Sequence, residues 1–238
     1  MNYKKYFKGD KVLKISSKII EGKFLYESKN RFICKVLINN EEIECYVPSA
    51  SRLENYLILK NKKVLLTLNK GKKRRTKYSL FAVEYYGKYI MLNLNIVNNL
   101  VEEYIIEKID EHSCENLYKE KFVNGYKADF LLEGKEKVVV EAKGIISARR
   151  DVVFPSVFSQ RAIDQLRALL ELLKSGYKVY YFYISLSPIV KSITINSFDE
   201  KYSKLLKKCM KKEMKIKAFS SCYSNNEVKL YKEIEINA

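Results

Sequence analysis

Two short stretches decide the reading: Ala128-Asp129-Phe130-Leu131-Leu132 and, a few residues on, Val138-Val139-Val140-Glu141-Ala142-Lys143. Their apolar, β-branched character predicts strands over Ala128–Glu133 and Lys137–Ala142. Alternation along a strand puts Glu141 and Lys143 on one face and Ala142 on the other. If the Asp129 strand is the neighbour, the carboxylates of Asp129 and Glu141 meet where the strands end. Two carboxylates and a backbone carbonyl are hard oxygen ligands suited to Mg2+ or Mn2+. The Lys143 side chain would orient a water, or deprotonate it as the neutral amine, and as the ammonium offset charge on a phosphorane-like transition state. The plainer alternative is a surface ion pair, because Glu-x-Lys recurs by chance in a lysine-rich chain. Val138–Val140 argues against it, since that apolar run places the charges at the exit of a buried strand.

The flanking segments extend the pattern. Upstream, Asn98-Asn99-Leu100-Val101-Glu102-Glu103-Tyr104 predicts a helix with Asn98 as its cap and acids in its first turn. Glu103 on that helix is a candidate third metal ligand, its alternative being a solvated helix-face acid. A short strand is expected at Glu120–Val123. Downstream, Val157–Leu173 predicts a helix with Ile163, Leu166, Leu169, Leu170 and Leu173 on one face, stopped at Ser175-Gly176. Lys178–Leu186 reads as a strand buried on both faces. Glu200–Lys212 reads as a helix and Lys215–Phe219 as a short strand. Helix, strand pair, helix, strand, helix make an α/β unit. The Asp…Glu-x-Lys arrangement in that order is the core of the PD-(D/E)XK nuclease design.

The N-terminal part reads differently. Strands are expected at Val12–Ile20, Lys23–Glu27, Phe32–Ile38, Glu42–Val47, Val64–Leu68, Ser79–Tyr85 and Tyr89–Asn93, with Asn39-Asn40 as a hairpin loop. Short strands at this spacing suggest a small barrel or sandwich. The change of pattern puts a boundary near residues 93–98.

Composition excludes several classes. The chain has 238 residues, enough for one large or two small domains, and its 47% hydrophobic content excludes disorder. His112 is the only histidine, so no histidine-built zinc or iron site can form; a surface loop is its expected place. Five cysteines without a CxxC pair read as free thiols of a reducing compartment, with Cys34 and Cys45 as core thiols. The N-terminus has no signal-peptide apolar region, and no run approaches the ~20 apolar residues of a membrane span. A cytoplasmic protein without membrane contact is expected. No glycine-rich phosphate loop occurs.

The residues Asn30-Arg31-Phe32, Val47-Pro48 through Arg52-Leu53, Arg75-Thr76-Lys77-Tyr78, Asn98 with Leu100 and Glu103, Asp129-Phe130, Val140-Glu141-Ala142-Lys143, Phe154-Pro155, Arg161 and Leu166 resemble the sugar fermentation stimulation protein A (SfsA) family, over nearly the whole chain. That resemblance implies an OB-like β-barrel over 1–95 and a PD-(D/E)XK nuclease-like α/β domain with a mixed central sheet over 96–238. It implies DNA binding, Asp129 and Glu141 as metal carboxylates, and Lys143 as the catalytic lysine. The chain departs from the family at Pro48-Ser49-Ala50-Ser51-Arg52, usually Pro-Asn-Thr-Gly-Arg, and at Tyr126-Lys127-Ala128, usually Ser-Arg-x. Ser156 and Gln160 stand where the family has acids, and Gln165 where it has a histidine.

The net charge of +17 comes from 45 Lys and Arg against 28 Asp and Glu. Much of the lysine is consistent with an AT-rich genome, so its placement matters more than its total. Asn69–Tyr78 (NKGKKRRTKY) carries six cations between two barrel strands. Lys72, Lys73, Arg74, Arg75 and Lys77 would track phosphates there, with Tyr78 as a stacking surface and Arg52 added from the neighbouring motif. Arg149, Arg150 and Arg161 are candidates to face a scissile phosphate. Lys207, Lys208, Lys211 and Lys212 read as a solvated helix face. The expectation is a Mg2+-dependent nuclease (Mn2+ as alternative) acting on DNA, with RNA as a second substrate class. The competing readings are a non-catalytic DNA-binding regulator and a scaffold whose charge is codon bias; oligomeric state is not legible.

Overall fold

The computed structural model describes residues 12–49, 52–69, 75–108 and 114–237, with the side chains of 106, 107 and 114 left undescribed. Six strands build the N-terminal sheet: β2 (Ile19–Glu27), β3 (Ile33–Ile38), β4 (Glu41–Tyr46), β5 (Lys63–Leu68), β6 (Tyr78–Tyr85) and β7 (Lys88–Met91). Its order is β4-β3-β2-β5-β6-β7, and a parallel pairing of β4 with β6 (Cys45 to Tyr78, Tyr46 to Ser79) closes the first five into a barrel. Closure removes the sheet edges that an open sheet of this size would leave unpaired. Asn39 and Asn40 both have positive φ, as a two-residue turn between β3 and β4 demands. Cys34 and Cys45 face each other across β3 and β4, buried and unoxidised.

The expected strand Val12–Ile20 is not one strand. Leu13–Lys14 (β1) pairs with Val228 and Glu227 at the far edge of the C-terminal sheet, and the barrel begins only at Ile19. That long-range pairing has no local sequence signal.

The C-terminal elements are α1 (Asn95–Lys108), β8 (Cys114–Val123), β9 (Tyr126–Gly134), β10 (Lys137–Ile145), β11 (Asp151–Phe154), α2 (Gln160–Lys174), β12 (Lys178–Ser185), β13 (Ser192–Ile195), α3 (Glu200–Lys211), β14 (Lys215–Ser224), β15 (Glu227–Glu233) and β16 (Glu235–Asn237). The main sheet runs β1-β15-β14-β12-β10-β9-β8, and β11-β13-β16 form a small sheet beside it. β10, β12 and β14 are mutually parallel while β9 and β15 run antiparallel, so the sheet is mixed. Its central strand is the apolar run from Lys178, buried on both faces as the composition predicts.

Three boundaries differ from expectation for identifiable reasons. Asn98 lies inside α1 and does not cap it; Asn93, upstream, accepts from the Asn95 N–H. α2 starts at Gln160, because Ser159 is its cap and accepts from the Ala162 N–H. β14 continues past Phe219 to Ser224 and turns back as β15, adding a hairpin that the six-element order lacked.

The core has two layers. One lies between the barrel, α1 and one face of the main sheet, and includes Leu66, Leu80, Met91, Val101, Phe130, Val140 and Phe182. The other lies between the opposite face and α2 and α3, and includes Val139, Ile163, Leu166, Leu169, Tyr181 and Leu206. Among the described residues no helix is long and apolar enough to cross a membrane.

Candidate metal centre and its surroundings

The site forms where β9 and β10 part. Their antiparallel ladder runs from Lys137–Glu133 to Val140–Phe130 and ends there. Two residues further on, the Ala142 N–H meets not a strand carbonyl but a side chain: Asp129 Oδ2 accepts it at 2.8 Å. A carboxylate thus replaces the missing ladder partner, which fixes Asp129 beside the chain segment carrying Glu141. Asn98 of α1 donates to the other oxygen, Asp129 Oδ1, at 3.3 Å. Gly144 lets α1 come this close, since a Cβ there would meet Leu94 Cδ2 at 2.6 Å and Val97 Cγ2 at 2.9 Å.

On the α2 face of β10, Glu141 and Lys143 project together. Glu141 is only 2% exposed. Its Oε1 accepts from Lys143 Nζ at 2.5 Å and from Gln165 Nε2 at 2.9 Å, and its Oε2 accepts from the Tyr126 hydroxyl. Lys143 also donates to Gln165 Oε1 at 2.6 Å, so Gln165 bridges the acid and the base. Burial pushes the Glu141 carboxyl above its ordinary range and the nearby Asp129 charge adds to this, while Lys143 and Tyr126 oppose it. Burial, then the Glu141 charge, pushes the Tyr126 phenol upward. The phenol therefore stays protonated as a donor.

A pocket of about 570 Å³ opens beside this network, lined by Asn124, Gly125, Tyr126, Arg161, Asp164, Gln165 and Ala168. It gives Arg161, exposed in the first turn of α2, a common wall with Tyr126 and Gln165. The Asn124-Gly125 turn, with φ of 49° and 80°, delivers Tyr126 to that wall as the first residue of β9. Asn-Gly is the sequence signal that could have placed Tyr126 in the site.

Asp129, Glu141 and Lys143 are brought together, with Tyr126, Gln165 and Asn98 as partners that the sequence did not assign to the site. Glu103 lies on α1, but among the described residues no three His, Cys, Asp or Glu side chains gather in a metal-binding arrangement. Asn98 is the α1 residue seen to reach Asp129. Arg149 and Arg150 sit in the exposed turn before β11 and do not line the pocket. Lys72, Lys73, Arg74 and His112 lie outside the described residues. Arg75 and Lys77 are exposed at the start of β6, and Lys77 Nζ lies 5.4 Å from the Tyr78 ring centroid. The Arg52 guanidinium is turned to the barrel, donating to Ser28 O at 3.2 Å and Lys29 O at 2.9 Å.

The donor set suits a hard divalent cation. The Asp129 and Glu141 carboxylates supply oxygens, and the carbonyl of Ala142 leaves the strand on the same side as its N–H. The fit requires Glu141 Oε2 to exchange Tyr126 for the ion.

Barrel, mixed sheet and paired carboxylates define a class: an OB domain joined to an α/β domain that carries an Asp…Glu-x-Lys set at the open end of a sheet strand. Family models agree, matching residues 27–92 as the SfsA N-terminal OB domain and 92–227 as the sugar fermentation stimulation protein RE domain. The chain belongs to the sugar fermentation stimulation protein (SfsA) family. A sugar fermentation stimulation protein homolog of Clostridium beijerinckii is 30% identical over 70% of this chain and 74% of its own. One from Thermosipho melanesiensis is 27% identical over 90% of this chain and 93% of its own. The solved structure of Pyrococcus furiosus SfsA in complex with Ca2+ superposes with a TM-score of 0.79 at 22% identity, covering 95% of this chain and all of that one.

Proposed function

We propose that this protein is a divalent-metal-dependent nuclease that hydrolyses phosphodiester bonds of DNA. The observation that carries the reading is the Asp129 carboxylate seated on the Ala142 N–H beside the Glu141–Lys143 pair, at the open end of a buried strand. Asp129, Glu141 and the Ala142 carbonyl would hold Mg2+ or Mn2+. The P. furiosus relative was solved with Ca2+, which also takes oxygen ligands. The bound cation would supply positive charge against the scissile phosphate and activate water.

The chain's own groups do the rest. Lys143 Nζ, held as an ammonium by Glu141 and Gln165, would orient the attacking water and offset charge on the phosphate; as the neutral amine, after giving up one proton, it would take the proton of that water. Arg161, on the pocket wall, is placed to grip a phosphate oxygen. Gln165 keeps the Lys143 ammonium aligned with Glu141. A cytoplasmic location fits the free thiols.

The test is cleavage of plasmid and of a single-stranded oligonucleotide in Mg2+, Mn2+ or EDTA. Cleavage lost in EDTA and in Glu141→Ala, with an unchanged circular dichroism spectrum, is the expected result. Lys143→Ala should lower turnover by roughly 10²–10⁴-fold and leave DNA affinity almost unchanged. A second reading, a DNA-binding protein that does not cleave, is favoured by one observation: Tyr126, Lys143 and Gln165 already occupy both oxygens of Glu141. Binding without cleavage in every metal would establish it and overturn the first.

A further inference from the structure

The loop from Ser28 to Phe32, between β2 and β3, is held from several sides. Ser28 N–H donates to Ile33 O at 2.9 Å, Ile33 N–H to Asn30 O at 2.9 Å, and Phe32 N–H to Asn30 Oδ1 at 3.1 Å. Val47 N–H donates to Phe32 O at 2.8 Å, and the Arg52 guanidinium ties down the carbonyls of Ser28 and Lys29. Arg52 is itself placed by a turn at Leu53–Asn55, whose first N–H groups are capped by the buried carboxylate of Glu27. A loop anchored in this way presents its side chains in a fixed geometry.

Those side chains are flat, and they are in the open. Phe32 is 38% exposed. Its ring runs nearly parallel to that of Tyr46, with 6.5 Å between centroids and 18° between planes. The Arg31 guanidinium carbon lies 4.7 Å from the Phe32 centroid, over the ring, and Arg31 is exposed. Barrel closure brings a further cation close. Tyr46 is the register partner of Ser79, so Lys77, just before β6, adjoins the Tyr46 strand, whereas Tyr78 pairs with the buried Cys45 and packs against the core. Arg75 is exposed two residues before Lys77. The acids nearby on β4, Glu42 and Glu44, share the one cation of Lys35, at 3.3 and 3.6 Å.

We propose that the Arg31–Phe32–Tyr46 patch, continued by Lys77, is a base-stacking platform that binds single-stranded DNA. The proposal rests on the nucleic-acid reading above and names the strand form the barrel holds. Unstacked bases add to aryl and guanidinium planes, whereas a duplex keeps its bases paired and offers this patch only phosphates. The strand is anionic and the patch has three cations, Arg31, Arg75 and Lys77, around its rings. Arg52 then acts as a positioning residue for the platform and not as a contact.

The test uses the full chain in EDTA, so that nothing is cleaved, and measures anisotropy of a labelled oligothymidine and of a labelled hairpin duplex across a salt series. Phe32→Ala should weaken oligothymidine binding about tenfold or more, with the duplex changed much less. Phe32→Tyr should restore it, which separates loss of the ring from loss of fold. Arg31→Lys keeps the charge but loses the plane, so it should weaken oligothymidine binding while leaving the salt slope unchanged. Oligothymidine binding unchanged in Phe32→Ala and Arg31→Lys overturns the platform and leaves the nuclease reading standing. Equal loss for single strand and duplex overturns it as well. Binding of neither probe by the wild-type chain overturns both readings.

Discussion

At the scale of single residues, the chemistry turns on which donors Glu141 accepts. Asp129, Glu141 and Lys143 were legible because strand alternation and an apolar run fix where they point. Tyr126 and Gln165 were visible only as departures from the family pattern, since their role depends on a hairpin turn and a helix face meeting across the sheet. Tyr126 makes the sharper prediction. Its hydroxyl holds the Glu141 oxygen that an incoming cation needs, and a hydrogen bond to a charged group is worth about 1.5–3 kcal/mol. Tyr126→Phe should therefore tighten Mn2+ binding about tenfold, read by isothermal titration calorimetry; unchanged or weaker binding would show that the phenol does not compete with the ion. The thiols give a pH prediction. The facing Cys45 thiol and then burial push Cys34 up, and burial pushes Cys209 up to about 11 from an ordinary 9.0. A thiol with its pKa near 11 is thiolate in only about one molecule in a thousand at pH 8. The folded state holds these protons more tightly than the unfolded chain, so this contribution to stability is intact below pH 9 and declines toward pH 11. In a Cys114→Ser background, alkylation of the native protein at pH 8 should reach the half-buried Cys222 first and spare Cys34, Cys45 and Cys209. Early labelling of Cys209 would contradict its burial.

At the scale of elements, local pattern gave most strands and both long helices to within a few residues. It failed where a partner distant in sequence decides the outcome. β1, β11, β13 and β16 are two to four residues long and exist because another strand is there to receive them. The start of α1 was misplaced because Asn93, Asn95, Asn98 and Asn99 are all plausible caps by composition, and only packing selects among them. The contact of α1 with β10 is where element geometry reaches the site. A methyl group on residue 144 would drive Leu94 and Val97 outward, and overpacking of this kind costs about 1–3 kcal/mol. Gly144→Ala should lower the urea midpoint and also weaken Mn2+ binding, because α1 carries the Asn98 that orients Asp129. Asp199→Ala, which removes the cap of the remote α3, should cost about 1 kcal/mol and leave Mn2+ binding unchanged. Equal effects of the two on Mn2+ affinity would mean that stability alone, and not the α1–β10 approach, governs the site.

At the scale of the whole molecule, the barrel and the α/β domain are joined by shared core. The rings of Phe81 and Tyr89, from the N-terminal sheet, pack edge-on against Tyr223 of β14, with centroids 4.9 and 5.7 Å away. Met91 N–H donates to Leu186 O at 2.8 Å, and β1, which precedes the barrel in sequence, lies in the other domain's sheet. This union was not legible in the sequence, where a change of strand and helix pattern marks two units but says nothing of the surface between them. It also gives the net charge a setting: Arg75 and Lys77 on the barrel and Arg161 on α2 belong to one continuous body. Neither unit can unfold without exposing the apolar layer between them, so the chain should unfold in urea as a single transition. Far-UV circular dichroism and tyrosine fluorescence should give the same midpoint. Tyr223→Ala removes both ring contacts of the interface and should cost about 2–4 kcal/mol. Its transition should remain single, because the β1–β15 pairing and the Met91–Leu186 bond still tie the halves together. Two separated transitions in the wild-type chain would show that the shared layer does not couple them.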